Sequence, residues 1–443
     1  MDRNSIIGLV LIFAILFGYS IYNSPSKEEI AKEKRAQDSV AALTKKAAPV
    51  VLPQENKNEL NDSLSLAKKQ QQFGSFAEAA QGKEEFHSLE NENIKVTISN
   101  KGGKVVGVEL KGYKTYSGNP LNLFKEDSSK FGLTFISQNK TINTNDLYFN
   151  PSEVINSGNK KVFSMRLQSS EGKYLEYLYS LEPNSYLLGF TLNMVGMNDV
   201  VAPGAGGMNI NWAMHTPRTE KSLEGEKTAT TVYYKNTEDE VDYLSETSDE
   251  KESLESKVKW IAFKQQYFTS VLIADQAIDK PTLETKSSTN NSSVKYLSAD
   301  FTIPFSHQAV ESFPMKFYFG PNHYQTLKKY DLSLEKQIPL GWGIFGWVNK
   351  FLVIPIFNFL AGFNLSYGII ILILTIIIKV MLLPLTYKAY LSQAKMKVLK
   401  PEIDEINKGK DKDPMKSQQE MMSLYRKAGV NPLGGCFPML LQM

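Results

Sequence analysis

The sequence predicts an α+β membrane protein, in which an antiparallel β-sandwich domain is joined to transmembrane α-helices and a helical hairpin. Three patterns lead to this prediction. Tyr367 to Leu385 is an almost unbroken apolar run that contains a single lysine, Lys379. Residues 86–320 largely alternate apolar and polar side chains, as half-buried strands do. Residues 386–429 instead carry apolar side chains at the spacing of amphipathic helices.

Composition and charge limit the possible functions. The chain has 443 residues and a net charge of only +3, so a sizeable soluble domain accompanies the membrane segments. Thr386 to Gly429 holds ten Lys or Arg against six Asp or Glu, a local charge of +4. A DNA-binding protein usually has a broader basic surface, whereas a basic segment beside a membrane span suits the cytoplasmic leaflet. We therefore expect no direct binding of DNA, and the lack of a GxxxxGK(S/T) motif predicts no binding of nucleotide.

Cysteine and histidine usage argues against disulfide and metal chemistry. The single cysteine, Cys436, excludes an intramolecular disulfide, and the four histidines lack the spacing of metal ligands. We therefore expect no metal site. The sequence from Leu433 to Cys436 is similar to a lipoprotein cleavage box, but such a box follows an N-terminal signal, so lipidation is not expected.

The N-terminal segment is predicted to anchor the chain in a membrane. Ile6 to Tyr22 is apolar and longer than the roughly 7–15 residues of a signal-peptide core, and no A-x-A-like site follows it. We assign residues 1–23 to an uncleaved transmembrane anchor, with a removed signal peptide as the alternative. Residues 24–85 are rich in Lys, Glu, Gln, Ala and Ser, which predicts a flexible linker.

Residues 86–340 are predicted to form the β-sandwich domain. Ile94 to Ile98 alternates apolar and polar side chains, Gly102-Gly103 turns the chain, and a second strand follows. The stretch from Tyr174 to Val195 predicts a similar hairpin with its turn at the centre. The acidic, Ser-rich stretch Glu238–Lys257 predicts a solvated excursion; a cation site is the less favoured alternative.

Residues 341–366 are predicted to form an amphipathic helix in the membrane interface. Lys350 and Pro355 interrupt the apolar stretch, and Trp342 and Trp347 are of the type that anchors helices at interfaces. If this helix crosses the membrane instead, the topology of the chain inverts. The sequence leaves that point open.

Residues 367–385 are predicted to form the second transmembrane helix, because a bilayer core needs about 20 apolar residues. The lysine-rich flank that follows belongs in the cytoplasm by the positive-inside rule. With one span on each side, the N-terminus lies in the cytoplasm and the β-sandwich domain lies outside.

Lys379 carries a charge at a depth where a charge costs roughly 2.5–3.5 kcal/mol on insertion scales, so it is rarely without a role. It precedes Leu385 by six residues, which is about 9 Å along a helix. A lysine side chain is nearly long enough to reach the cytoplasmic headgroups from there. A buried polar cavity would accommodate the same charge. Periodicity alone does not decide between these two interpretations.

Residues 386–429 are predicted to form a cytoplasmic helical hairpin, with a polar turn from Gly409 to Pro414. A stripe that includes Leu391 and Ile403 seals the two arms together, and the basic outer face is available to lipid headgroups or a partner. The side chains assigned to this surface are Lys388, Lys395, Lys397, Lys400, Met421, Met422 and Tyr425. Residues 430–443 begin another apolar segment.

Several stretches of the chain resemble the YidC family of membrane-protein insertases. The most specific are PLTYKAYLSQAKMKVLKPEI (Pro384–Ile403) and QQEMMSLYRKAGVNPLGGCFPMLLQM (Gln418–Met443). WIAFKQQYF (Trp260–Phe268) and FYFGP (Phe317–Pro321) are similar to the long bacterial members, which have a large periplasmic domain. The resemblance implies a periplasmic β-supersandwich and a five-helix core in the bacterial inner membrane. It also implies that residues 430–443 open a third transmembrane helix and that the chain is truncated there.

The same resemblance implies a substrate groove. Family members insert proteins through a hydrophilic groove that is open to the cytoplasm and to lipid, without enzymatic chemistry or a cofactor. Lys379 matches a basic groove position at which arginine is usual; lysine keeps the positive charge but lacks the planar, bidentate fork of arginine. Thr375, one turn earlier, and Gln442, on the next helix, match two polar groove positions.

The partners implied by the resemblance are nascent membrane proteins, the ribosome, the signal-recognition particle receptor, the Sec translocon and membrane lipids. Two other functions remain possible from the residues alone. A membrane-tethered β-domain that binds a glycan or another ligand has fold-level analogy as its support, and glycan hydrolysis would need a cleft with paired carboxylates. A fragment of a transporter or channel would also contain a lone charged span.

Overall fold

The computed structural model describes residues 68–125, 128–203, 207–238, 240–289, 292–363, 365–408 and 414–429. The chain divides into two units, Met1–Gln72 and Phe73–Met443. The predicted N-terminal anchor and most of the predicted linker lie outside the described residues, as does the segment after residue 429. The fold below is that of the larger unit.

The strands extend from Phe86 to Pro321 and are interrupted, among the described residues, by one short α-helix and by the 3₁₀ turns Thr144–Asp146 and Met197–Asp199. In chain order they are β1 (Phe86–Glu90), β2 (Ile94–Ser99), β3 (Val105–Lys114), β4 (Pro120–Phe124), β5 (Ser129–Ser137), β6 (Lys140–Asn143), β7 (Asn150–Pro151), β8 (Ile155–Ser157), β9 (Lys160–Ser170), β10 (Lys173–Leu181), β11 (Leu187–Val195), β12 (Met208–Pro217), β13 (Thr231–Asn236), β14 (Val241–Tyr243), β15 (Glu250–Ser253), β16 (Val258–Lys264), β17 (Phe268–Ser287), β18 (Ser293–Ile303) and β19 (Val310–Pro321). The interrupting helix is α1 (Leu223–Ala229).

The described strands form two antiparallel sheets. A four-stranded sheet has the order β1-β2-β3-β4, and a 15-stranded sheet has the main path β6-β5-β12-β18-β17-β19-β11-β10-β9-β7. Strands β13, β14 and β16 branch from β17, β15 pairs with β17, and β8 pairs with β9. Strand β17, at 20 residues, is long enough to pair with β16 and β19 along its first part and with β18 along its second part. The predicted antiparallel β-sandwich class is confirmed.

The first hairpin shows how the sequence forms these sheets. Ile94, Val96 and Ile98 of β2 are fully buried, and the residues between them are partly exposed. The following turn needs positive φ angles, which Gly102 (φ 80°) and Gly103 (φ 64°) supply. A Cβ at Gly103 would also lie 2.8 Å from the ring of Phe149, so a larger side chain has no space there.

Aromatic side chains from the large sheet form the centre of the main core. Phe131 makes edge-to-face contacts with Phe190 and Phe317, with ring centroids 5.3 and 5.5 Å apart. Trp212 stacks on Phe263 at 3.8 Å. Such pairs add about 0.5–1.5 kcal/mol each to the effect of burying their apolar surface. The core therefore stabilises the domain in the absence of any disulfide.

A second, smaller core lies on the outer face of the large sheet. The chain leaves β19, forms helix α2 (Tyr324–Lys328) and a 3₁₀ turn (Leu334–Gln337), and packs back on the sheet. Leu327 and Leu334 are fully buried there beside Trp260. The Trp260 indole N–H donates to the carbonyl of Leu332 at 2.8 Å, which fixes the returning chain.

The acidic stretch Glu238–Lys257 is more ordered than its composition indicates. Most of its described carboxylates are exposed, but the stretch contributes β14 and β15 to the large sheet. Glu246 accepts from the Lys264 ammonium at 3.3 Å, and Lys295 donates to the Glu246 carbonyl at 2.9 Å. Both lysines are buried. The segment is therefore held on the domain by charged hydrogen bonds that the sequence pattern does not reveal.

Four helices follow the sandwich. Helix α3 runs from Gly343 to Ala361 and contains a π-helical stretch, Asn349–Val353. Helix α4 (Tyr367–Val398) continues through Pro384, at the point where the sequence pattern predicted a boundary. The Thr386 hydroxyl donates to the Leu382 carbonyl at 2.9 Å, so a side chain bonds to the backbone beside the proline. Helices α5 (Lys400–Lys408) and α6 (Pro414–Lys427) complete the described chain.

Candidate functional site

Helices α3 and α4 are the two membrane candidates. Gly343–Ala361 and Tyr367–Pro384 are each long and apolar enough to cross a bilayer among the described residues. Length and composition therefore do not distinguish an interfacial α3 from a spanning one. Side-chain contacts give further information.

The packing between α3 and α4 lies close to the turn that joins them. The rings of Phe357 and Tyr367 stack in parallel with centroids 6.2 Å apart, and Leu360 and Ile370 are buried nearby. Beyond this junction no described side chain of either helix is fully buried: the large apolar side chains are exposed, as Trp347 of α3 is, or half-buried. The two helices therefore diverge, whereas an antiparallel membrane hairpin would bury a continuous seam between them.

The predicted groove residues Lys379 and Thr375 lie one turn apart on one face of α4, and both are exposed. The Thr375 hydroxyl donates to the Ile371 carbonyl at 2.7 Å, so its oxygen remains available as an acceptor. Within the described part of the chain, no carboxylate pairs with Lys379. Gln442, the third predicted groove residue, lies outside the described residues. The structure thus brings two of the three together.

The predicted hairpin surface is only partly exposed. The lysines at positions 388, 395, 397 and 400 are exposed, and so is Met422, whereas Met421 and Tyr425 are half-buried. Leu391, assigned to the sealing stripe, is 45% exposed, because α4 extends past the membrane segment and the hairpin forms mainly between α5 and α6. Ile403, on α5, is partly covered as predicted.

The buried lysines of the β-domain were missed from the sequence. Burial lowers the pKa of Lys264, and the neighbouring Glu246 carboxylate opposes that shift. Tyr233 also donates to Glu246 at 3.2 Å, and the Lys264 ammonium lies 5.0 Å from the centre of the Tyr233 ring. The position of Lys264 inside the apolar stretch WIAFKQQYF was the available signal, because a lysine there is either on a strand edge or buried with a partner.

One cleft among the described residues lies beside the β3–β4 hairpin. Its volume is about 510 Å³, and Tyr116, Asn122 and Arg218 are among its lining residues. The Arg218 guanidinium lies 5.4 Å from the centre of the Tyr116 ring. Its described walls contain no Asp or Glu. The paired carboxylates of a glycan-cleaving site are therefore not found in this cleft.

A large β-sandwich joined to apolar helices and a basic amphipathic hairpin defines the class: a helical membrane protein with an extramembrane β-domain. The family model described as the YidC periplasmic domain matches residues 87–356, and the model described as 60Kd inner membrane protein matches residues 359–443. The chain belongs to the YidC family of membrane-protein insertases, which are bacterial inner-membrane proteins.

Curated relatives support the same assignment over the whole chain. The membrane protein insertase YidC of Parabacteroides distasonis is 39% identical across all of this chain and 72% of its own length. The insertase of Phocaeicola vulgatus is 41% identical with the same coverage. The family resemblance and the insertase function that it implied are confirmed.

Solved structures give a weaker comparison. A galactose mutarotase-like protein from Lactobacillus casei matches 53% of this chain and all of its own at a TM-score of 0.34 and 10% identity. That similarity is too low to support any statement about function. The glycan-binding alternative therefore gains no support from it.

Proposed function

We propose that Lys379 and Thr375 form part of a hydrophilic groove through which this insertase moves the polar segments of its clients. Gln442 is proposed as a further groove residue. The observation that carries the proposal is the exposed Lys379 on an otherwise apolar helix, with a hydroxyl one turn away and no carboxylate partner in the described chain.

The proposed role of Lys379 is electrostatic. A cation inside the bilayer region draws water and attracts acidic side chains, because electrostatic interactions strengthen as the local dielectric falls. A wet groove in the inner half of the membrane would shorten the apolar barrier that a polar tail must cross. No covalent step is required, so the proposed activity is not enzymatic.

The proposed topology has a cytoplasmic N-terminus, a periplasmic β-domain and a multi-pass membrane core. The divergence of α3 from α4 supports an α3 that lies in the outer interface, since only its last turns pack against the span. The exposed Trp342 and Trp347 suit that position. The basic flank of α4 supports a cytoplasmic hairpin.

The hairpin is proposed to receive partners on the cytoplasmic side. Its exposed lysines suit anionic headgroups or the phosphate backbone of ribosomal RNA, and Met422 offers an adaptable apolar contact. The proposed partners are nascent membrane proteins, the ribosome, the signal-recognition particle receptor and the Sec translocon.

A complementation experiment tests the groove. After depletion of the native copy, full-length protein carrying Lys379→Glu should fail to support growth, whereas Lys379→Arg should support it because the positive charge is kept. Membrane fractionation of both variants provides the control for equal levels of protein. Normal growth of the Glu variant at equal levels would overturn the proposed role of the charge.

A further inference from the structure

Hydrogen bonds identify the end of the sandwich at which helix α3 is attached. Thr269, near the start of β17, donates to the Gln337 side chain at 3.1 Å. Three residues later the Leu340 carbonyl accepts from the Asn349 side chain of α3 at 2.8 Å. Three residues span at most about 11 Å of chain. Helix α3 is therefore attached close to the end of the sandwich where β17 begins.

Two turns at this same end carry exposed tyrosines. Tyr267 lies in the β16–β17 turn and is 54% exposed, and its carbonyl accepts from the Asn322 N–H just after β19. Tyr116, in the β3–β4 hairpin, is also 54% exposed. Tyr113, at the base of that hairpin, packs its ring against Phe268 at 5.3 Å. Because Phe268 pairs with Pro321, both turns lie where β19 ends.

Lysines accompany these tyrosines. Lys114 is exposed on the same hairpin, and Lys328 and Lys329 are exposed at the end of α2, which follows β19. Tyrosine rings with polar tips and lysines with apolar stems are the side chains that favour the headgroup region of a bilayer. A ring that is exposed to water has no hydrophobic stabilisation. The same ring at the headgroup level is partly removed from water, which is favourable.

We propose that this end of the β-domain rests on the phospholipid headgroups of the outer leaflet, with Tyr113, Tyr116 and Tyr267 as its contacts. The inference rests on the proposed topology, because it continues the interface in which α3 lies. The occupant is the lipid surface, since the Leu340 carbonyl, which accepts from the proposed interfacial helix α3, lies within about 11 Å of Gln337 at this end. The β-domain would then have a fixed orientation above the membrane.

Headgroup quenching tests the contact in the full-length protein. In a Cys436→Ser background, Tyr116→Cys or Tyr267→Cys is labelled with an environment-sensitive fluorophore, and the protein is reconstituted in phosphatidylethanolamine–phosphatidylglycerol vesicles. A fraction of the lipid carries a nitroxide on its headgroup. The matched control is Glu171→Cys in the β9–β10 turn, at the opposite end of the domain. Strand β10, with nine residues, separates the two ends by about 30 Å.

The expected result is quenching at positions 116 and 267 that exceeds quenching at position 171 by about threefold or more. Equal and weak quenching at all three positions would overturn the proposal. Labelling of intact spheroplasts with an impermeant thiol reagent tests the topology separately. If position 171 is inaccessible there, the proposed topology fails; if it is accessible while quenching is absent, only the headgroup contact fails.

A set of tyrosine variants tests whether the quenching depends on the aromatic side chains themselves. With the fluorophore at Ser117→Cys, replacement of Tyr113, Tyr116 and Tyr267 by Trp should retain the quenching, because Trp also favours the interface. Replacement of all three by Asp should reduce it at least twofold. A thermal unfolding transition within about 2 °C of the parent shows that the domain remains folded. Unchanged quenching in a folded Asp variant would contradict the proposal.

Discussion

The β-domain and the helical segment after it use the same apolar residue types in opposite ways. Leu133 of β5 and Ile94 of β2 are fully buried between sheets, whereas Leu372 and Val380 of α4 are 60% and 62% exposed. The first pair stabilises the fold in water, and the second pair requires a lipid solvent. Stability and insertion should therefore respond to different sets of substitutions.

Removal of the hairpin should have the largest effect on insertion. Deletion of Lys388–Lys427 is expected to abolish activity while leaving the protein in the membrane, since the span that precedes it is unchanged. Insertion of a client, assayed by protease protection, and carbonate extraction of the variant provide the two measurements. Full activity without the hairpin would contradict its recruiting role.

A matched pair of leucines tests the contrast in packing. Leu133→Ala should lower the free energy of unfolding of the β-domain by about 2–5 kcal/mol, because it leaves a cavity in the core. Leu372→Ala, at an exposed position on α4, should leave it unchanged within about 0.5 kcal/mol. Urea unfolding can be followed by tryptophan fluorescence, since Trp212 and Trp260 are buried in the domain. Equal losses from both variants would refute the separation of the two regions.

Loss of the contact between Glu246 and Lys264, which holds the acidic stretch, should have an effect of intermediate size on the stability of the β-domain. Glu246→Gln should destabilise the β-domain by about 1–3 kcal/mol, less than a fully buried pair would, because the Glu246 side chain is 31% exposed. Lys264 would lose its charged partner. Glu255→Gln, whose parent side chain is 90% exposed, is the control and should have no measurable effect. Identical unfolding curves for the parent and Glu246→Gln would show that the stretch is not held by this pair.

The smallest expected effect depends on pH. Burial raises the pKa of Glu176, but hydrogen bonds from Arg166 and Asn193 outweigh it and leave the pKa below its ordinary value. The unfolded state therefore binds more protons than the folded state. The stabilisation that ionised Glu176 provides is present above the ordinary carboxyl pKa and is lost as the pH falls through the lower pKa of the folded state. Its size is less than about 1 kcal/mol, because Arg166 is half-exposed.

The pH dependence can be isolated with one variant. Urea unfolding of the parent and of Glu176→Gln, measured between pH 7 and pH 3, should give free energies that converge at the acid end. A constant difference across that range would assign the loss to packing instead of to the charge.

Local patterns predicted the regular parts of the fold. The β2–β3 hairpin and the strands on either side of Pro183-Asn184 are confirmed, because alternation and turn residues are properties of neighbouring positions. The anchoring of Glu246 was not predicted, since Lys264 and Lys295 are 18 and 49 positions away in the chain.

The membrane helices show a different limit. The change of pattern predicted a boundary between residues 385 and 386, yet α4 continues past Pro384 to Val398, with Thr386 bonded to neighbouring carbonyls. Lys379 and Thr375 were predicted from the family resemblance, and their shared face follows from helical spacing. Periodicity alone left snorkelling and a polar cavity as two open interpretations of Lys379.

The most direct test of the groove varies the charge at position 379 together with the charge of the client's tail. Full-length protein in proteoliposomes is given a single-span client with an acidic translocated tail, or its twin with Gln in place of each acidic residue, and protease protection measures insertion. Lys379→Glu should reduce insertion of the acidic client about tenfold or more, equivalent to about 1.4 kcal/mol, with a much smaller effect on the neutral twin. Lys379→Arg should insert both clients normally. Equal insertion of the two clients by Lys379→Glu and by the parent would contradict an electrostatic role for this residue.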